Sequence, residues 1–219
     1  PSSPPLVVEM GTMPLAAKRA ARTRLATVGM ELMDAPVSGT GIQAAEGTLV
    51  VFASGSSGAY ARAEPIFAAI SRSRYHLGNF GTGSVMKYIA NLLVAIHNLA
   101  AAEAHALGIA AGLDPALVQE VMSDGIGASK IFDIRGPMMA ADQYEPPSAR
   151  LDIILKDAHI IAEYAADQGA STPLLDAAIP IYEAAARSGL GGLDAAALCR
   201  YLEEIAHLVR TVDRPHGRE

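Results

Sequence analysis

From Ser84 to Ala111 the sequence runs for nearly thirty residues without a proline, and its only charges are Lys87 and Glu103. That stretch predicts one helix roughly 40 Å long at 1.5 Å per residue. Apolar residues fall on almost every face of it, so burial on most sides is expected, partly against another subunit. Gly112 ends the run, and Asp114-Pro115 supply an N-cap and a first-turn residue for the next helix.

The two sides of Gly83 differ in pattern. Before it, short apolar runs at Leu6–Val8, Glu31–Val37, Thr48–Ala53 and Arg74–Leu77 read as strands. Between them, a helix is expected from a start at Thr12-Met13-Pro14 to about Val28, carrying Lys18, Arg19, Arg22 and Arg24 towards solvent. A second is expected from Ala59 to Ile70, and the second strand should end in the loop Ser38-Gly39-Thr40-Gly41. After Gly83 only helices are expected: Ala128–Met139, Leu151–Gln168, Pro173–Arg187 and Ala195–Val209, the last two capped by Thr172 and Asp194. Strands alternating with helices imply an α/β arrangement. The fold class expected is therefore α/β followed by all-α, with residues 1–81 and 82–219 as the two domains and Arg214–Glu219 as a frayed tail.

A net charge of −6 argues against a nucleic-acid surface, which needs clustered cations. The single cysteine, Cys199, allows no internal disulfide or thiolate metal cluster and fits a reducing compartment. It reads as an apolar helix residue. No spacing among the six histidines and the carboxylates makes a metal site, and His97 and His105 read as core or interface residues. PSSPPLVVEM lacks the basic start and apolar stretch of a signal peptide. The longest mostly apolar run, Tyr88–Ala102, falls short of a membrane span, so a soluble, cytoplasmic protein is expected.

Three arrangements carry candidate chemistry. Gly81-Thr82-Gly83 is followed by Lys87 and Asn91, which lie four apart on one helix face. A lysine held in apolar surroundings can exchange a proton near neutral pH. On spacing alone, a snorkelling lysine at a helix end is the more ordinary reading. Asp34-Ala35-Pro36-Val37-Ser38-Gly39 leads a strand into a loop whose amides and hydroxyl suit a carboxylate, or is an ordinary glycine turn. Lys156-Asp157 offers positive charge to an anion, or is a solvated helix pair.

DAPVSGTGIQAAEGTL resembles the substrate-binding motif of the β-hydroxyacid dehydrogenases, the family of 3-hydroxyisobutyrate dehydrogenase and tartronate semialdehyde reductase. GTGSVMKYIANLLVA and AEAHALGIAAGLDP resemble its catalytic helix and continuation, and LKDAHIIAEYAADQGASTPLLDAA its later lysine–aspartate segment. The similarity runs from about Val7 to Leu208, and several ordered matches are more specific than any one. It implies the C-terminal half of a Rossmann-type domain plus a helical C-terminal domain like that of 6-phosphogluconate dehydrogenase, led by the long helix. It also implies NAD or NADP as cofactor, a small β-hydroxy acid as substrate, and a homodimer or homotetramer built through residues 84–111. By position, Lys87 matches the catalytic lysine and Asn91 the substrate-holding asparagine. Ser38 and Gly39, with Thr40 beside them, match the carboxylate loop. Lys156 matches a lysine near the nicotinamide, and Thr12 a residue at the cofactor's edge.

Departures bear on this reading. The family's G-x-G-x-x-G turn, which cradles pyrophosphate, is not found, so the chain is expected to begin with that domain half built. Thr40 stands where a second glycine is usual, and Gly11 where serine is frequent. Pro146-Pro147-Ser148-Ala149-Arg150 looks more like the branch acting on sugar-derived acids such as threonate, with Arg150 in reach of an extra oxygen. The other reading is a non-catalytic helical module for dimerisation or ligand binding, derived from the same family by truncation. A 6-phosphogluconate dehydrogenase would need a phosphate-binding cation cluster and a much longer helical domain.

Overall fold

The structure is a computed structural model and describes residues 5–210. The expected frayed tail lies outside them. The chain divides into two compact units: residues up to Leu92 together with His159–Ser171, and Leu93–Ala158 together with the residues from Thr172 on.

The first unit opens with a β–α–β step. β1 (Leu6–Glu9) is followed by α1 (Leu15–Ala26), which returns the chain to β2 (Glu31–Asp34) in parallel with β1, Leu6 opposite Glu31. Pro14 stands at the N-cap of α1, where its missing N–H costs nothing. The single strand expected over Glu31–Val37 is two. Ala35 and Pro36 break the run, and β3 (Val37–Ser38) pairs antiparallel with β4 (Leu49–Ala53) instead. The expected loop after it holds a short helix, α2 (Gly41–Ala45). β4 leads through α3 (Ser57–Ile70), capped by the Ser56 hydroxyl, into β5 (Ser71–His76), parallel to β4. β5 begins three residues before the strand read from the sequence, because its first residues are polar and hide the alternation. Met33, Ala35, Val51, Ala53, Ala59, Ala63 and Phe67 form the apolar centre beneath these strands.

α1 carries one surprise. Arg19, Arg22 and Arg24 face solvent as expected, but Lys18 does not; it is 2% exposed. Lys18 shares the inward face with Leu15, Ala21 and Leu25. The physical reason is a partner that no local pattern shows, Asp34 at the end of β2.

After Gly83 no named strand occurs among the described residues. α4 (Thr82–Ala110) is the long helix, within two residues of expectation at each end. By length and composition it would suffice to cross a membrane. In the second unit, however, it holds buried polar side chains with partners on neighbouring segments. Asn98 donates to the Tyr182 hydroxyl and the Ala195 carbonyl, and the Tyr182 hydroxyl donates to the Ala95 carbonyl. α5 (Pro115–Ser123) and α6 (Lys130–Ala141) are capped by Asp114 and Ser129. α7 (Leu151–Asp167) and α8 (Pro173–Arg187) fall where expected. Thr172 precedes α8 without a capping hydrogen bond, whereas Asp194 does cap, accepting from the Ala196 amide.

Asp194 does more than cap. Its carboxylate also accepts from the Ser148 amide and hydroxyl, the Ala149 amide and the Arg135 guanidinium. Burial alone would push this carboxyl up, but those donors outweigh it and hold it below the usual range. The segment after Asp194 is a 3₁₀ turn (Ala195–Ala197) and a shorter helix, α9 (Leu198–Ile205), rather than one helix to Val209. Cys199 is buried, but it is not merely apolar, since its thiol donates to Glu203.

Candidate active site

Lys87 and Asn91 sit near the start of α4, Lys87 half-buried and Asn91 8% exposed. What lies beneath that helix start is a chain of buried polar groups. The Ser84 amide donates to Asp34 Oδ2 at 2.8 Å and the Ser84 hydroxyl to Asp34 Oδ1 at 2.8 Å. The Ser54 hydroxyl donates to Asp34 Oδ2 at 3.0 Å and accepts from the Gly81 and Gly83 amides at 3.1 and 3.0 Å. A carboxylate facing a helix N-terminus is stabilised by the unpaired amides and the helix dipole. Gly83 is required by contact, since a Cβ there would stand 2.1 Å from the Phe52 carbonyl oxygen.

Lys18 closes the arrangement from the other side. Its ammonium lies 2.8 Å from Asp34 Oδ1, 2.7 Å from the Gly11 carbonyl and 2.5 Å from Glu9 Oε2. Glu9 in turn accepts from the Gly11 amide at 2.7 Å. The turn after β1 is thereby fixed, and Thr12, half-buried, follows directly. Tyr88, the neighbour of Lys87, donates to the Met13 carbonyl at 2.5 Å and packs on Tyr164. Three segments carrying sequence-predicted site residues are thus joined by one buried ion pair: the turn with Thr12, the strand leading to Ser38, and the helix with Lys87.

The segment read as a carboxylate loop spans β3 and the start of α2. Ser38 is half-buried in β3 opposite Val50. Gly39 has φ +139°, and a Cβ there would meet Leu49 at 2.7 Å, so glycine is needed. The amide and hydroxyl of Thr40 both donate to Gln43 Oε1, which commits Thr40 to the start of α2. Lys156 is exposed in the second unit, its ammonium 2.6 Å from Asp157. Arg150 is exposed just before α7 and pairs with Asp152 in the first turn of that helix.

A family model described as the NAD-binding domain of 6-phosphogluconate dehydrogenase matches residues 2–78. A second, described as the NAD-binding part of NADP-dependent 3-hydroxyisobutyrate dehydrogenase, matches residues 81–202, over half of the chain. The chain belongs to the β-hydroxyacid dehydrogenase family. Among its relatives, the L-threonate dehydrogenase of Cupriavidus necator is 38% identical over 196 residues, 89% of this chain and 66% of the relative. The NAD-dependent L-serine dehydrogenase of Pseudomonas aeruginosa is 32% identical, covering 86% of this chain and 65% of that one. A solved 3-hydroxyisobutyrate dehydrogenase from Salmonella typhimurium superposes with a TM-score of 0.84 at 31% identity, over 89% of this chain and 68% of that one. That likeness shows the Rossmann-plus-helical fold. The chain spans slightly less than two thirds of the length of the curated relatives it matches first.

Sequence reading missed Lys18, Glu9, Ser54 and Ser84 as members of the site's framework. One signal was available. Lys18 stands three residues after Leu15 on the apolar stripe of α1, where a basic residue needs a buried partner.

Proposed function

We propose that this chain carries the substrate-handling part of a nicotinamide-dependent oxidoreductase acting on a small β-hydroxy acid, with Lys87 as general acid/base. The observation that carries it is the Asp34-centred framework, which gathers the segments bearing Thr12, Ser38 and Lys87 within a family member. Bound NAD or NADP would supply the hydride acceptor or donor. The residues present suit its nicotinamide end. The carboxyl end of β1 opens into Gly11 and Thr12, the place where ligands meet parallel strands, and the turn is held by Lys18 and Glu9. No G-x-G-x-x-G turn stands in residues 1–219 to take the pyrophosphate.

In oxidation, the Lys87 amine takes the proton of the substrate hydroxyl; in reduction, the ammonium returns it to the forming oxygen. Asn91, one turn further along the same face, holds the substrate beside it. Ser38 and Gly39 receive the carboxylate; for Lys156 it is the resemblance alone that supports a place near the nicotinamide. Four relatives are L-threonate dehydrogenases, and Pro146–Arg150 resembles that branch, so a sugar-derived acid such as threonate is the substrate class of choice.

The test is reduction of NAD or NADP at 340 nm by the full chain with L-threonate, 3-hydroxyisobutyrate and serine. Turnover with one of them, abolished in Lys87→Ala without change in the circular dichroism spectrum, is the expected result. A variant losing twofold or less overturns the role of Lys87, and no turnover with any substrate overturns the activity for this chain. Assembly is proposed through α4, where Met86, Ile89, Leu93 and Leu107 stand exposed. Light scattering should give a dimer or tetramer; a monomeric mass refutes that.

A further inference from the structure

We propose that the Asp34 carboxylate, held by Lys18, is the positioning device of the active site: it fixes the rotation of α4 and so the placement of the Lys87 ammonium. This rests on reading Lys87 as the acid/base group. Asp34 is fully buried and Lys18 nearly so. A pair this desolvated returns in attraction little more than it cost to dehydrate, and apolar residues of the same volume would often hold a fold as well. What apolar residues would lack is direction. Each Asp34 oxygen has two partners: Lys18 and the Ser84 hydroxyl on Oδ1, the Ser84 amide and the Ser54 hydroxyl on Oδ2.

Ser84 is therefore gripped at its backbone and at its side chain. One grip would leave the helix free to swivel about the bond; two stop it. Ser54 adds a further hold through the amides of Gly81 and Gly83. Lys87 follows Ser84 by three residues, so at about 100° per residue it projects roughly 60° from Ser84 around the helix axis. A lysine ammonium lies roughly 8 Å from its helix axis, so a 10° swivel moves it by about 1.4 Å. A misplacement of about 1 Å is enough to cost on the order of 100-fold in rate. The same grips hold the partners in register: Lys18 fixes the Gly11 carbonyl next to Thr12, and Asp34 begins the segment that ends at Ser38. None of Lys18, Asp34, Ser54 or Ser84 need touch the substrate for this.

The direct variant is Asp34→Asn, which leaves Glu9 as the remaining charged partner of the buried Lys18 and is liable to unfold. Ser84→Ala and Ser54→Ala are the decisive ones, since each removes one grip and leaves the ion pair. Ser71→Ala is the matched control. It deletes another buried hydroxyl, bonded to the Phe67 carbonyl, in β5 and apart from α4. Two readouts are taken on the full chain. The first is kcat/KM for the hydroxy acid, expected to fall at least tenfold in Ser84→Ala and Ser54→Ala and to stay within twofold in Ser71→Ala. The second is the rate of reductive methylation of Lys87 by formaldehyde and cyanoborohydride, read by mass spectrometry against Lys156. It is expected to rise at least threefold in the two decisive variants only. Unchanged methylation of Lys87, or equal effects from Ser71→Ala, overturns the proposal. If the parent chain shows no turnover, the functional reading falls while methylation alone still decides whether Asp34 positions α4.

Discussion

Replacing Gly83 by alanine asks how tightly the start of α4 is seated. An added Cβ would stand 2.1 Å from the Phe52 carbonyl oxygen, 3.1 Å from the Ser54 hydroxyl and 3.2 Å from the Asp34 carbonyl oxygen. The first contact is over 1 Å too close and its partner is backbone, which cannot swing aside. The helix start must lift by about 1 Å, and the bonds from Ser84 to Asp34 then leave hydrogen-bonding range. Overpacking of this kind costs about 1–3 kcal/mol, and a hydrogen bond to a charged group is worth about 1.5–3 kcal/mol. Alanine's better helix propensity offsets at most about 1 kcal/mol. The net expectation is a loss of about 3 kcal/mol, or roughly 6–12 °C in Tm for a chain of this size. The same substitution at Gly58, in the first turn of α3, meets nothing within 4 Å. There it should stabilise by about 0.4–1 kcal/mol, since only the unfolded chain loses freedom. Urea unfolding followed by circular dichroism, with the m-value checked for constancy, measures both. A Gly83→Ala midpoint within 2 °C of the parent in a parallel thermal melt (a shift of roughly half a kcal/mol), or a comparable loss at Gly58→Ala, would refute the steric argument.

His105 makes the fold sensitive to acid. Burial, only partly offset by its hydrogen bond with Gln119, pushes its pKa below 6.5, and its Nδ1 has no partner to receive an added proton. Stability is therefore complete above pH 6.5 and declines as pH falls, by up to about 1.4 kcal/mol per unit, because the unfolded chain takes the proton first. Urea titrations between pH 7.5 and 5.5 should show a shallower slope for His105→Gln; an unchanged slope would count against His105. At Asp194, asparagine leaves the buried Arg135 without its charged partner and should cost about 3–5 kcal/mol. Adding Arg135→Met should recover part of that loss in the same melt, and no recovery would mean that the amides of Ser148 and Ala149 dominate.

The long helix and the helices after it were legible because proline, glycine and capping residues punctuate them: Gly112, Asp114-Pro115, Pro173 and Asp194 mark boundaries within the chain. The parallel pairing of β1 with β2 follows from the helix between them. The strand break at Ala35-Pro36 and the early start of β5 were not legible, since both are set by what pairs across the sheet rather than by local pattern. The candidate site divides the same way. Lys87, Asn91, Ser38 and Gly39 stood out through spacing and resemblance. Lys18 was hidden among the arginines of α1, because its partner lies sixteen residues on at a strand end. Ser54 and Ser84 carried no signal at all, a lone hydroxyl being informative only once its neighbours are known.

Because one carboxylate braces three separate stretches of chain, the residues proposed to face a ligand are not the ones that join those stretches. Thr12 and Ser38 can be exchanged while Lys18, Asp34, Ser54 and Ser84 keep the stage on which they stand. Under the proposed function, specificity can then drift one half-buried side chain at a time while the seat of Lys87 is kept. The reverse also holds: an exchange at the brace disturbs every one of those stretches together, leaving no graded route through it.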